Sequence, residues 1–272
     1  MEWDGPAIVL DTRPYGEGDA VVTVMTEAHG LHRGLARGGA SRAQASLWMQ
    51  GNMVQVRWAA RLSDNLGSFT GELIHAGAAQ VLDDALALAM LSSSCALAED
   101  ALPEREPLPR VFSGLLRLIP RLPLGEAELA EVVRWELLLL SDLGYGLDLS
   151  ACAVTGRTEG LAYVSPRTGR AVTAEGAGVW ASRLLPLAGF LRGPEVAGQE
   201  AASQEAASQE AAGQEAAGPE AWRDGLRLTG HFLERDVFGH RHRPLPYARR
   251  MLYDRVAVMA DSTEKDNRTD HA

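Results

Sequence analysis

Five arginines, Arg33, Arg37, Arg42, Arg57 and Arg61, fall between Ala28 and Ser63 with no acidic residue among them. A planar guanidinium donates two parallel hydrogen bonds and therefore suits phosphate recognition. Gly38 and Gly39 lie between Arg37 and Arg42, where a side-chain-free backbone allows close approach to an anion. Together these features point to nucleic-acid phosphates. The competing reading is a solvated loop in an arginine-rich chain, because Lys265 is the only lysine among 26 basic residues. Trp48, Trp58 and Phe69 are the aromatics that could stack with bases beside this set, with barrel core the stronger reading for Trp58 and Phe69.

The remaining chemistry-bearing residues point away from catalysis. His29 and His32 are spaced HxxH, and His240 and His242 are spaced HxH. Zinc requires three or four convergent ligands, and no cysteine or carboxylate partners accompany these pairs, so polar loop histidines are expected. Residues 13–19 (RPYGEGD) contain a GxG, but Val21 stands where a dinucleotide fingerprint needs its third glycine, so a β-turn is expected. No nucleophile elbow, phosphate-binding loop or HExxH motif occurs. The expectation is a non-enzymatic protein with no cofactor, no metal and no small-molecule substrate.

Positioning these residues falls first to a β-rich segment. Residues 7–10, 21–25, 31–35, 54–58 and 66–74 are short apolar or alternating runs punctuated by glycines and polar clusters. Five such strands within about 75 residues suggest a small barrel, with an OB-fold the natural candidate and an SH3-like barrel not separated from it by periodicity. After Val81 the period becomes helical, over residues 82–102, 111–122 and 126–143. The last is the strongest: Leu129, Val133, Leu137 and Leu140 form one stripe, acidic residues favour its start, and Gly144 marks its end. A loop-rich stretch follows at 147–173, and helical patterning returns at 174–191 and 222–259. The predicted fold class is α+β, with domain 1–79, a helical domain 80–260 and a disordered tail 261–272.

Composition and charge bound the function. A hydrophobic content of 46% is ample for a core, and no apolar run approaches membrane-spanning length. Cys95 and Cys152 make no disulfide framework. These features, with an acidic N-terminus unlike a signal peptide, predict a soluble, cytoplasmic protein. The net charge of -10, taken alone, argues against nucleic acid. Residues 198–222, however, form a pentapeptide repeat (GQEAA, SQEAA, SQEAA, GQEAA, GPEAW) carrying five glutamates and no base. Successive glutamates would step about 140° around a helix, giving no apolar face, so a spacer is expected. Outside the repeat and tail the chain is close to neutral, and local charge governs binding.

Several segments resemble the RecO family: residues 13–26 (RPYGEGDAVVTVMT), 37–42 (RGGASR), 134–146 (RWELLLLSDLGYG) and 162–172 (AYVSPRTGRAV). The resemblance runs in order over nearly the whole chain except the repeat and tail. It implies an N-terminal five-stranded OB-fold, then a helical domain with a zinc-finger-like loop; on that barrel Arg33, Arg37, Arg42, Arg57 and Arg61, read above from their charge and spacing, would hold single-stranded DNA. It also implies strand annealing, and loading of RecA onto SSB-coated DNA together with RecR, at the nucleoid. Two departures stand out. Where many relatives carry a CxxC…CxxC site, the matching positions are Cys152, Thr155, Ser165 and Thr168, so the loop is degenerate and tight zinc binding is not expected. Ala40, Ala43 and Ala45 dilute the basic loop. The resemblance further implies docking of the acidic SSB C-terminal tail, for which Arg134 and Leu138, one helical turn apart, offer a cation beside an apolar surface. An ordinary surface pair of Arg134 with Glu131 is the alternative.

Overall fold

The computed structural model describes residues 1–62, 65–192 and 217–269. The chain forms two compact units, 1–128 with 246–252, and 129–245 with 253–272. Most of the pentapeptide repeat lies outside the described residues.

The first unit opens with five strands: β1 (Glu2–Tyr15), β2 (Asp19–Thr26), β3 (Gly30–Ala36), β4 (Met53–Ala59) and β5 (Ser68–His75). They close into a barrel in the order β1-β2-β3-β5-β4. β1 is long enough to serve two neighbours. Glu2–Ile8 pair with β4, and from Ala7 to Tyr15 the strand runs along β2, with a bulge between Val9 and Asp11. The β3–β5 junction is parallel and only two residue pairs long, Leu35 with Ser68 and Ala36 with Phe69. This closure is that of an OB-fold and resolves the choice that periodicity left open. The alternation read in the sequence holds on β4: Val54, Val56 and Trp58 point inward, and Gln55 and Arg57 outward. Gly34 is required inside, because a Cβ there would lie 2.7 Å from the Phe69 ring.

The outer face of β1–β2–β3 is also buried, at Ile8, Leu10, Met25 and Leu31. Helices α1 (Gly77–Val81), α2 (Ala85–Ala101) and α3 (Pro109–Leu118) follow in this unit, with α2 on β1 and α3 on β2. That packing is why compactness divides the chain after Glu128, while the sequence pattern changes near residue 80. The Asp84 carboxylate caps α2 by accepting the Leu86 and Ala87 N–H groups.

The second unit begins with α4 (Leu129–Asp142). The residues expected to start it, from Glu126, instead belong to a 3-10 segment, Ile119–Glu128, broken by Gly125 at φ 68°. Its end is where Gly144 placed it. The Tyr145 N–H donates to Leu140 O and the Gly144 N–H to Ser141 O, with Gly144 at φ 87°. Those two bonds make a Schellman cap. A three-stranded sheet follows, ordered β7 (Ala171–Thr173), β6 (Leu161–Val164), β8 (Leu185–Pro186). The helix expected at 174–191 is not formed. α5 (Ala174–Ala177) gives way at Gly178 to a 3-10 turn, Gly178–Arg183, and then to β8, because Gly178 adopts φ 47° and Pro186 cannot continue a helix. α6 (Pro219–Phe232) packs on α4, where Gly225 lets the backbone meet Val133 and the buried Thr229 hydroxyl donates to the Glu136 carboxylate. α7 (Tyr247–Thr269) is helical through most of the tail expected to be disordered.

Candidate nucleic-acid interface

The strand ends of the barrel bring three loops together. Ala40 N–H donates to Gly18 O at 3.0 Å, and Gly38 N–H donates to the Asp19 carboxylate at 2.7 Å. These bonds tie the loop after β3 to the β1–β2 turn. Leu35 N–H donates to Gly67 O at 3.0 Å, which ties the same end of β3 to the β4–β5 loop. Arg37 and Arg42 sit on the first loop and Arg61 on the last, all three exposed. Among the described residues none of the three is ion-paired. The fold itself requires glycine here: Gly38 takes φ 68°, and a Cβ on Gly39 would lie 2.8 Å from that of Ala36.

Arg33 and Arg57 are placed differently. Arg33 points outward from β3 and forms ion pairs with Glu104 and, at 3.9 Å, with Glu99 of α2. Arg13 reaches the same Glu99 at 3.1 Å. Burial and the nearby Asp11 push the Glu99 carboxyl up, while Arg13 and Arg33 pull it down. Arg33 therefore joins the barrel to its own helical cover. Arg57 donates to Glu2 at 2.6 Å and faces Asp4 across the β1–β4 ladder. That hydrogen bond, together with the Arg57 charge, holds the Glu2 carboxyl below its usual range. Charge in the sequence counted both arginines as basic; the fold supplies each with a carboxylate from a distant segment.

All three aromatics weighed as stacking surfaces are core, as expected for Trp58 and Phe69. Trp48, Trp58 and Phe69 are each 3% exposed or less. Trp48 is the correction: the loop carrying it folds inward, and its ring lies 6.3 Å from that of Phe69. The aromatic that sequence reasoning passed over is Tyr15, 60% exposed at the last pair of β1 and β2, opposite Asp19 and next to the turn that holds the Arg37 loop. An aromatic directly before a glycine turn was the available signal.

In the second unit, Arg134 forms an ion pair with Glu131, donates to Phe190 O at 3.0 Å and lies over the Phe190 ring at 5.6 Å. Leu138 is half-buried on the same helix face. The loop after α4 contains two turns of one pattern. Thr155 N–H donates to Cys152 Sγ at 3.4 Å and Gly156 N–H to Cys152 O at 2.9 Å. Thr168 N–H donates to Ser165 Oγ at 3.3 Å and Gly169 N–H to Ser165 O at 2.9 Å. Burial would raise the Cys152 thiol, but hydrogen bonds from the side chains and backbone of Thr155 and Thr173 outweigh it and bring it down to about 6. Among the described residues no three His, Cys, Asp or Glu side chains converge as a metal site. No helix among them is long and apolar enough to cross a membrane.

Comparison with known proteins agrees with this architecture along the chain. Residues 1–76 match the family described as Recombination protein O N terminal, and residues 82–245 match Recombination protein O C terminal. A DNA repair protein RecO from Granulibacter bethesdensis is 52% identical over 268 residues, covering 98% of this chain and 100% of the relative. One from Gluconacetobacter diazotrophicus is 50% identical, covering 95% and 96%. A third, from Acidiphilium cryptum, is 50% identical over 256 residues, covering 94% and 96%.

Proposed function

Because the chain belongs to the RecO family of DNA repair proteins, we propose that it acts as a recombination mediator of the RecF pathway. In this reading it binds single-stranded DNA on the OB barrel, anneals strands, and helps to load RecA onto SSB-coated DNA together with RecR. The observation that carries the reading is the loop cluster at the end of β3. There Arg37, Arg42 and Arg61 are exposed without carboxylate partners among the described residues, and Tyr15 lies beside the same turn. Loops flanking an OB barrel are a common place to hold nucleic acid. A strand would lay phosphates on the guanidinium groups and a base on the phenol. The test is binding of oligo-dT by the full chain at two salt concentrations. Affinity that falls steeply with salt is expected, and affinity absent even at low salt would overturn the proposal.

The acidic SSB tail is assigned to Arg134 and Leu138 on α4. Glu131 competes for Arg134, so an incoming carboxylate must displace a side chain one turn away. Arg134→Ala should weaken a tail peptide several-fold in calorimetry. Unchanged affinity would move the site off this helix. A second reading, a repair scaffold with little DNA binding of its own, is favoured by the neutralisation of Arg33 and Arg57. Salt-independent or absent strand binding with intact peptide binding would select it.

A further inference from the structure

The SPRTGRA segment is the most distinctive motif that the proposed function leaves unused. It forms the turn from β6 to β7, with Arg167 exposed at its tip. β8 pairs with β6 through Tyr163 with Pro186 and Val164 with Leu185. β6 runs directly into the turn that carries Arg167, and Arg183 lies two residues before β8. Just before Arg183 the 3-10 turn presents Val179 at 89% exposure and Trp180 at 58%. The Arg183 guanidinium lies over the Trp180 ring, 5.0 Å from its centroid.

We propose that this edge of the small sheet is a second single-strand contact, with Trp180 as the base platform and Arg183 and Arg167 as phosphate ligands. The proposal rests on the strand-binding reading above and extends it to the second unit. Trp180 offers an accessible indole beside a cation. The guanidinium occupies one face of the ring and leaves the other for a flat partner, and stacking of that kind tolerates any base. The charge is also selective. Arg157 and Arg170 of the same loop are neutralised by Glu175 and Asp148. Among the described residues Arg167 and Arg183 have no carboxylate partner. A cation over an exposed aromatic, with a second cation on the turn that follows the neighbouring strand, matches the alternation of phosphates and bases along a strand better than it matches an apolar protein surface.

The test uses the full chain and oligo-dT carrying 5-iododeoxyuridine, cross-linked by light and mapped by mass spectrometry, with affinities measured alongside. A cross-link at Trp180 is expected, in addition to links in the barrel loops. Trp180→Leu should lower affinity roughly fivefold or more, while Trp180→Phe retains most of it. Arg167→Ala/Arg183→Ala should flatten the plot of log affinity against log salt by about 1.4, at about 0.7 per lost single-strand phosphate contact. All are surface changes, so the melting temperature serves as the check on folding. Wild-type affinity in Trp180→Leu and in the double arginine variant, with cross-links confined to the barrel, overturns this contact alone and leaves the barrel reading standing. The same outcome with weakened binding of an acidic peptide assigns the edge to a protein partner instead. Absence of any strand binding by the wild type overturns both readings.

Discussion

At the scale of the residue, formal charge and available charge part company. Arg33 and Arg37 are four positions apart on one strand and its loop. One meets Glu99 and Glu104, and the other faces solvent. Their substitutions should therefore read out in different assays. Arg37→Ala/Arg42→Ala should flatten the salt dependence of strand binding by about 1.4 and leave the urea midpoint unchanged. Arg33→Ala should leave the salt slope unchanged and cost about 1 kcal/mol or less of stability, since its pairs are part-exposed. The reverse pattern would refute the assignment. The five arginines were legible in the sequence as a set. The division within the set was not, because the carboxylates that neutralise two of them come from Glu2, Glu99 and Glu104, whose approach only the fold determines. Cys152 gives a second residue-scale test. Its thiol titrates near 6 in the fold, against an ordinary value of 9.0. Below about 6 the thiol is protonated in both states and contributes nothing. As pH rises from there the unfolded chain binds more protons than the folded one, so stability rises with pH. That gain is complete above about 9. The difference in urea midpoint between wild type and Cys152→Ser should therefore widen with pH across this window; a constant difference would show that the thiol is not stabilised as a thiolate.

At the scale of the element, local rules succeeded where the chain stops and were looser where it starts. Gly144 ends α4 as expected because a left-handed residue is needed there, and glycine adopts that conformation without a Cβ clash. Gly144→Ala should accordingly cost about 1 kcal/mol, measured by urea denaturation, with no loss of strand binding. A neutral result would mean that the Tyr145 and Gly144 bonds close the helix without glycine's help. The start at Glu126 holds as a 3-10 first turn, because acidic residues favour a helix N-terminus without fixing the geometry of its turn. Gly125 at φ 68° separates the segment containing Glu126 and Glu128 from what precedes it, and regular α-geometry begins only at Leu129. The stretch 174–191 failed for a related reason. Its apolar spacing is helical, but Gly178 and Pro186 decide the backbone, and the apolar side chains serve 3-10 turns and an edge strand.

At the scale of the whole molecule, the pattern of periods was legible: period two through the barrel, helical period after it, and a five-residue repeat that fits neither. The repeat's five glutamates also account for much of the net charge of -10, which is why the global figure misdirects. Deletion of residues 198–218 should leave the melting temperature and strand affinity nearly unchanged, because loop-closure entropy grows only logarithmically with length. A drop of many degrees would show that the repeat contributes a packed surface. The five-stranded barrel was legible, but its seam was not, since register between β3 and β5 has no local signal, and the observed seam is two residue pairs long. That brevity has a consequence for hydrogen exchange. The seam is the barrel's shortest ladder, so the amides of Leu35, Ala36 and Phe69 should trade protons with solvent ahead of those on β1, β2 and β4. The loops of Arg37 and Arg61 spring from opposite sides of that seam. A nucleic-acid strand laid across both would fasten the barrel shut, and slowed deuterium uptake at those three amides would register occupancy even when no side chain changes position.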